Sequence, residues 1–167
     1  GGSRVGPELL SEIISEDSQT MKLYFCSSYD LIELKDALNK CKTKETILLI
    51  SSKSFNTMEI IKNANFAKAW LRDSIGEQYV DHIYGISCNQ DSMTKFGIKD
   101  ENQIKILDSL GGRFSIWSPM SLPAFVNSGM GPYKDLIEGA READKHLLSK
   151  SWKENIPVLM SLIGLWN

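Results

Sequence analysis

The sequence has no surplus of positive charge, no long apolar run, and few of the residues that build disulfide or metal frameworks. Lys and Arg number 19 against 21 Asp and Glu, a net charge of −2, so nothing in the balance supports holding a phosphodiester backbone by counterion release. This argues against nucleic acid or an acidic membrane as partner. No apolar run approaches the roughly 20 residues of a membrane-spanning helix, and the N-terminus lacks a charged flank leading into an apolar signal region. Cys26, Cys41 and Cys88 are odd in number and widely spaced, which supports neither a disulfide framework nor a clustered zinc motif and suits a reducing, cytoplasmic compartment. There are two histidines. His82 opens an apolar run, His146 lies late in a helical pattern, and neither stands beside another chemically active group, so both read as structural or surface residues. What remains, 167 residues of which 42% are hydrophobic, suffices for one domain around one packed core.

Four apolar runs rich in β-branched and aromatic residues read as strands: Lys22 to Cys26, Thr46 to Ile50, His82 to Ile86 and Gln103 to Leu107. Helix-period segments lie between them, and such alternation predicts an α/β fold with a parallel sheet covered by helices. The first helix is expected to open near Pro7, with Leu9, Leu10, Ile13 and Ile14 on its buried face. A second is expected over Leu31 to Cys41. A third, from about Thr57 to Leu71, turns Ile60, Ala64, Ala67 and Leu71 inward. Beyond the last strand the pattern becomes helical: a short segment near Pro123, a long one from Pro132 to Leu148, and Asn155 to Trp166. Tyr133, Leu136, Ile137, Ala140, Ala143 and Leu147 form the apolar stripe of the long helix, and its charges read as a solvated face. Both ends read as cut, because the opening Gly-Gly-Ser resembles a turn after a strand and the closing segment is apolar nearly all round.

The most informative stretch runs from Ile50 to Glu59, Ile-Ser-Ser-Lys-Ser-Phe-Asn-Thr-Met-Glu, which follows a strand and opens a helix. Unpaired N–H groups at a helix start, the positive end of its dipole and flanking hydroxyls together make an anion site. Lys53 adds positive charge, and Asn56 with Glu59 three residues on forms a plausible helix cap. The end of a parallel strand is also where open α/β sheets bind ligands. Ser, Asn and Thr are equally ordinary capping and turn residues, and both readings stand on local pattern alone. The absence of glycines excludes a Walker-type loop. Gly1-Gly2-Ser3 reads either as a tight turn or as a linker. After the last strand, Leu110-Gly111-Gly112-Arg113-Phe114-Ser115 places an Arg on a turn. There it can stabilise an oxyanion without exchanging a proton, or simply be a solvated side chain.

Taken together these blocks resemble the glucose-6-phosphate isomerase family. Asp108 to Ser118, Asp-Ser-Leu-Gly-Gly-Arg-Phe-Ser-Ile-Trp-Ser, is similar to its signature segment. Gly1-Gly2-Ser3 with Gly6-Pro7 is similar to its opening glycine turn, and Ser52 to Thr57 resembles its phosphate loop, usually Ser-Lys-Thr-Phe-Thr-Thr. Asn155 to Leu159 followed by Ile163 to Trp166 resembles its closing helix. The likeness implies one sugar-isomerase domain over residues 1–167, cut from a longer chain. It further implies a three-layer αβα sandwich of flavodoxin-like type, whose five-stranded parallel sheet lacks its first strand here.

The implied activity is interconversion of glucose 6-phosphate and fructose 6-phosphate through an enediolate, without metal or organic cofactor, in a homodimer. The implied substrate-binding set is Gly2 and Ser3 toward the sugar and Ser52, Lys53, Ser54, Phe55, Asn56 and Thr57 around the phosphate, with Lys53 offering its backbone N–H. Arg113 is the implied catalytic residue, as electrostatic stabiliser. The carboxylate base and the His and Lys of ring opening belong to later segments in the family, so this chain alone is expected to isomerise nothing. The alternative is a non-catalytic phosphosugar-binding regulatory module. Departures from the family pattern are Arg4 for Asp, Asn56 for Thr, Met58 for Gln, Ile60 for Thr, and Leu107 and Ser109 for a Trp pair, which mark a divergent member.

Overall fold

Three of the four apolar runs become strands. In the computed structural model, which describes residues 2–14, 21–110 and 112–166 without the side chains of Arg113 and Asn127, β1 covers Leu48–Ser51, β2 Ile83–Ser87 and β3 Gln103–Lys105. They pair in parallel in the order β1-β2-β3, with Leu48 opposite Ile83 and Gly85 opposite Gln103. Parallel neighbours need crossover connections. Helices α1 (Gly2–Ile13) and α2 (Ile32–Leu38) precede the sheet, α3 (Met58–Ile75) joins β1 to β2, and α4 (Gln90–Phe96) joins β2 to β3. The expected α/β architecture with a helix-covered parallel sheet is present.

Alternation along the strands sorts the core into two faces. Leu48, Ile50 and Ile83 pack with Ala64 and Leu71 of α3 and with Met93 and Ile98. On the other face, Leu49, Ile86 and Ile104 meet Ile106 and Met120. The central strand is buried on both sides. At Gly85 a Cβ would lie 2.7 Å from both Ile98 Cδ1 and Met93 Sδ, so the missing side chain is what lets α4 sit close to the sheet. Leu34 and Leu38 of α2 pack on Ala67 of α3.

Of the first helix's expected buried face, Leu10 is buried but Leu9 and Ile13 are 50% and 68% exposed. Two further expectations fail for physical reasons. Lys22 to Cys26 is not a strand. Its apolar composition suits one, but a strand exists only within a ladder, and none runs beside it among the described residues. The first helix starts at Gly2 rather than near Pro7, so Pro7 lies inside α1. A Pro there leaves the carbonyl four residues earlier without its N–H, and Ser115 Oγ donates to that Ser3 oxygen at 3.3 Å. A tertiary contact thus compensates for what the local pattern lacks.

The chain divides into two compact units, Gly1–Asn127 and Ser128–Asn167. Around their boundary lies α5 (Leu122–Ser128), the expected short helix at Pro123. The second unit contains α6 (Met130–Ser149) and α7 (Ile156–Trp166). In α6, Tyr133, Leu136, Ile137 and Ala140 of the expected stripe are half-buried, while Ala143 and Leu147 are exposed. Asn155 caps α7, accepting the Val158 N–H at 3.3 Å and donating to the Leu147 carbonyl at 2.8 Å. His146 Nε2 accepts the Ile156 N–H at 3.1 Å, and His82 Nδ1 lies 2.8 Å from the Thr46 carbonyl. Each histidine ring thus has a backbone partner within the fold, in keeping with a structural or surface residue. Among the described residues, no helix is long and apolar enough to cross a membrane.

Candidate anion-binding site

The ladder between β1 and β2 continues past the strands into the loop of interest. The Ser52 N–H donates to the Ile86 carbonyl and the Cys88 N–H to the Lys53 carbonyl, both at 3.0 Å. Ser87 Oγ at 2.7 Å and Cys88 Sγ at 2.8 Å donate to the same Lys53 oxygen. Asn89 Nδ2 donates to the Ser54 carbonyl at 3.3 Å. Segment 52–54 is therefore stitched by its carbonyls to segment 87–89.

Phe55 makes the turn that follows. Its φ of 55° is left-handed, the one positive value of a non-glycine among the described residues, a conformation that costs an L residue about 1–2 kcal/mol. Burial offsets this: the ring is 3% exposed and meets the Phe96 ring edge-on with centroids 5.8 Å apart. Burying a Phe side chain contributes about 1.5–3 kcal/mol. Ser52 Oγ also accepts the Phe55 N–H at 3.2 Å, and Ser54 Oγ accepts the Asn56 N–H at 3.4 Å.

That turn leads into α3. The cap expected from Asn56 and Glu59 does not form; the N-cap is Thr57, extended at φ −66° and ψ 117°, with no side-chain hydrogen bond to the helix. Helix geometry leaves the first-turn N–H groups without intrahelical acceptors, and Thr57 leaves them uncapped by its side chain. Thr57 Oγ1 lies 3.4 Å from Ser52 Oγ. Ser54, Asn56 and Met58 are exposed, Thr57 is half-buried and Ser52 is buried. Lys53 Nζ sits 3.3 Å from Asp108 Oδ1, which brings the segment leading to the Gly-Gly-Arg turn up to the loop.

Hydroxyls and open amides at a helix start favour a small anion, while the Lys53 ammonium beside them is paired with Asp108. None of Ser52, Ser54, Asn56 and Thr57 is a general base at neutral pH, so the chemistry of this loop suits binding rather than proton transfer. Among the described residues, no group of three or more His, Cys, Asp or Glu side chains is placed to hold a metal ion.

The other candidate residues gather elsewhere. Gly2 and Ser3 lie in the first turn of α1 rather than in a loop, and Ser3 is held by Ser115 from the 3-10 turn Gly112–Trp117. Gly6 allows this approach, since a Cβ there would lie 3.0 Å from Ile116 Cβ. Arg113 is on that turn, with its side chain outside the described residues, as is Gly1. Two features escaped the sequence reading. Segment Ser87-Cys88-Asn89 braces the loop, and its one legible signal was Asn89 standing three residues before Ser92, whose N–H it accepts at 3.1 Å. The second is Arg4, which donates to Glu8 at 2.8 Å and to Glu33 at 2.7 Å. Glu33 also accepts the N–H groups of Ser27 and Ser28 at 3.1 and 3.2 Å, so one carboxylate ties α1, α2 and the segment between them. Burial acts to raise the Glu33 pKa, but hydrogen bonds from Arg4 and the two amides prevail and hold it below the usual carboxylate range.

The family model described as Phosphoglucose isomerase matches residues 1–167. The glucose-6-phosphate isomerase of Hydrogenovibrio crunogenus is 36% identical over 170 residues, a match covering 100% of this chain and 31% of that protein. One from Pseudomonas fluorescens (strain Pf0-1) is 37% identical over 169 residues, covering 99% of this chain and 30% of that protein. The chain thus spans about 31% of the length of the curated relatives it matches. The crystal structure of a glucose-6-phosphate isomerase from Chlamydia trachomatis aligns with a TM-score of 0.85 at 24% identity, over 100% of this chain and 32% of that one. A hypothetical protein from Thermus thermophilus aligns with a TM-score of 0.81 at 23% identity, over 98% of this chain and 39% of that one. These structures share the fold. With a family model matched from end to end and relatives above one-third identity along the whole chain, this chain belongs to the phosphoglucose isomerase family.

Proposed function

We propose that residues 1–167 form the phosphate-gripping sugar-isomerase domain of a glucose-6-phosphate isomerase, a cytoplasmic homodimer that interconverts glucose 6-phosphate and fructose 6-phosphate. The observation that carries the reading is the Ser52–Thr57 hydroxyl pair at the uncapped start of α3, directly beyond a parallel strand. In this reading the phosphate rests on Ser52, Lys53, Ser54 and Thr57, on a loop whose shape Phe55 and Asn56 complete. Gly2 and Ser3 contact the sugar from α1. The substrate's proton moves between C1 and C2 through an enediolate, and Arg113 stabilises the negative charge that develops on its oxygens. A fixed cation is well suited to this, because it acts most strongly where charge appears in the transition state. The base and the ring-opening groups come from outside this chain, and no metal or organic cofactor takes part.

The test has two stages. Amide NMR of the 167-residue chain titrated with inorganic phosphate and with fructose 6-phosphate should move the Ser54, Thr57, Met58 and Glu59 signals most. Shifts scattered elsewhere, or none, would remove the phosphate site. The full-length protein should then convert fructose 6-phosphate. Binding without conversion by a folded protein would replace the enzyme with a regulatory phosphosugar module.

A further inference from the structure

Phe55 holds a left-handed backbone that its own side chain disfavours, and the amides following it open α3. What keeps it there is its ring, buried edge-on against Phe96, the last residue of α4. Phe96 is itself fixed. Lys68 Nζ donates to its carbonyl at 2.6 Å and sits 4.7 Å from its ring centroid, and Met93 and Ile98 anchor either side of it in the core. The other end of α4 also reaches the loop, through Asn89 on the Ser54 carbonyl.

We infer that Phe96 is a positioning residue for the anion loop: it touches no ligand, and acts through the Phe55 ring to keep the Asn56–Thr57 backbone in the geometry that receives a phosphate. This rests on the proposed phosphate site. Removing the Phe96 ring lets Phe55 leave the left-handed region. The apparent affinity then falls by the fraction of molecules still in the competent form.

The test is calorimetric titration of the 167-residue chain with inorganic phosphate, with circular dichroism checking that each variant is folded. Phe96→Ala should weaken phosphate binding about tenfold, the result of a competent fraction near one-tenth. Phe96→Tyr, which keeps the ring at a half-buried position, should bind like the unmutated chain. Phe55→Gly/Phe96→Ala should bind no more weakly than Phe55→Gly alone, because Phe96 acts only through the ring already removed. Should Phe96→Ala fail to fold, Phe96→Val carries the test with an expected loss of about threefold, again as a reduced competent fraction.

A folded Phe96→Ala or Phe96→Val chain with unchanged affinity, while Thr57→Val is weakened, overturns the positioning role and leaves the phosphate site standing. Additive losses in the double variant overturn it as well. No phosphate binding by the unmutated chain overturns the site, and this inference with it.

Discussion

Replacing Thr57 by Val keeps the β-branched shape and removes one hydroxyl, and the surroundings of that hydroxyl make the expected effect unusually clean. A lost N-cap side chain ordinarily costs about 1 kcal/mol of stability. Thr57 makes no side-chain hydrogen bond to α3, so that cost does not arise. Its Oγ1 lies 3.4 Å from Ser52 Oγ, longer than a good O–H···O bond, so little is lost there either. The unliganded variant should melt within about 2 °C of the parent, the shift expected for a change near 0.5 kcal/mol in a chain of this size. Bound phosphate changes the comparison. A hydrogen bond to a charged group, lost with the anion left short of one donor, costs about 1–3 kcal/mol, which raises Kd roughly 5- to 150-fold. Isothermal titration with inorganic phosphate at fixed ionic strength, beside scanning calorimetry, separates the two quantities. Unchanged Kd with a melting temperature several degrees lower would mean that the hydroxyl serves the helix and that 52–57 is ordinary turn chemistry.

Under the proposed mechanism, Arg113→Ala in the full-length protein should lower kcat by at least about tenfold with little change in KM, since a cation that stabilises an enediolate acts most where that charge develops; a loss confined to KM would make the residue a binding group. Glu33 should contribute to the acid limb of stability. Its folded pKa is lowered, so the unfolded chain binds the proton first, and its contribution, complete above the ordinary carboxylate range, disappears as pH falls through the folded value. Glu33→Gln should flatten urea-measured stability between pH 3 and 5, roughly the span of an ordinary carboxyl titration, and a slope identical to that of the parent would refute the assignment. Burial, and then the charge of Glu33, push the Cys26 thiol up to about 11. In a Cys41→Ser/Cys88→Ser variant, iodoacetamide labelling should therefore keep rising toward pH 11. A plateau near 9 would show an ordinary thiol.

Local pattern located β1, β2 and β3 within two residues at each end, because β-branched runs between helical segments have few other uses. It failed where the outcome belonged to partners. Leu23 and Phe25 alternate with Lys22 and Tyr24 as a strand should, yet whether a ladder forms depends on backbone elsewhere. The polar stretch Gln90 to Phe96 gave no helical period, since its one buried residue is Met93; packing against Gly85 holds it in place. The loop 52–57 was legible as a strand-to-helix turn by its position beyond a strand, but the shift of the N-cap from Asn56 to Thr57 was not. That shift lies beside a left-handed Phe55, a residue type with no turn preference, whose ring packs on one 41 residues further along the chain. Arg4 was legible only as a departure from the family pattern, and its meaning emerged with Glu33 across 29 residues.

The Lys53 carbonyl, taking hydrogens from Ser87, Cys88 N–H and Cys88 S–H, fixes more than itself. Across a trans peptide the oxygen and the next amide hydrogen point to opposite sides, so anchoring the oxygen inward aims the Ser54 N–H outward. Rotating that plane would break all three bonds together. The amide is thus aimed by the fold itself, and for the proposed anion it offers a surface already set rather than one that binding must first order.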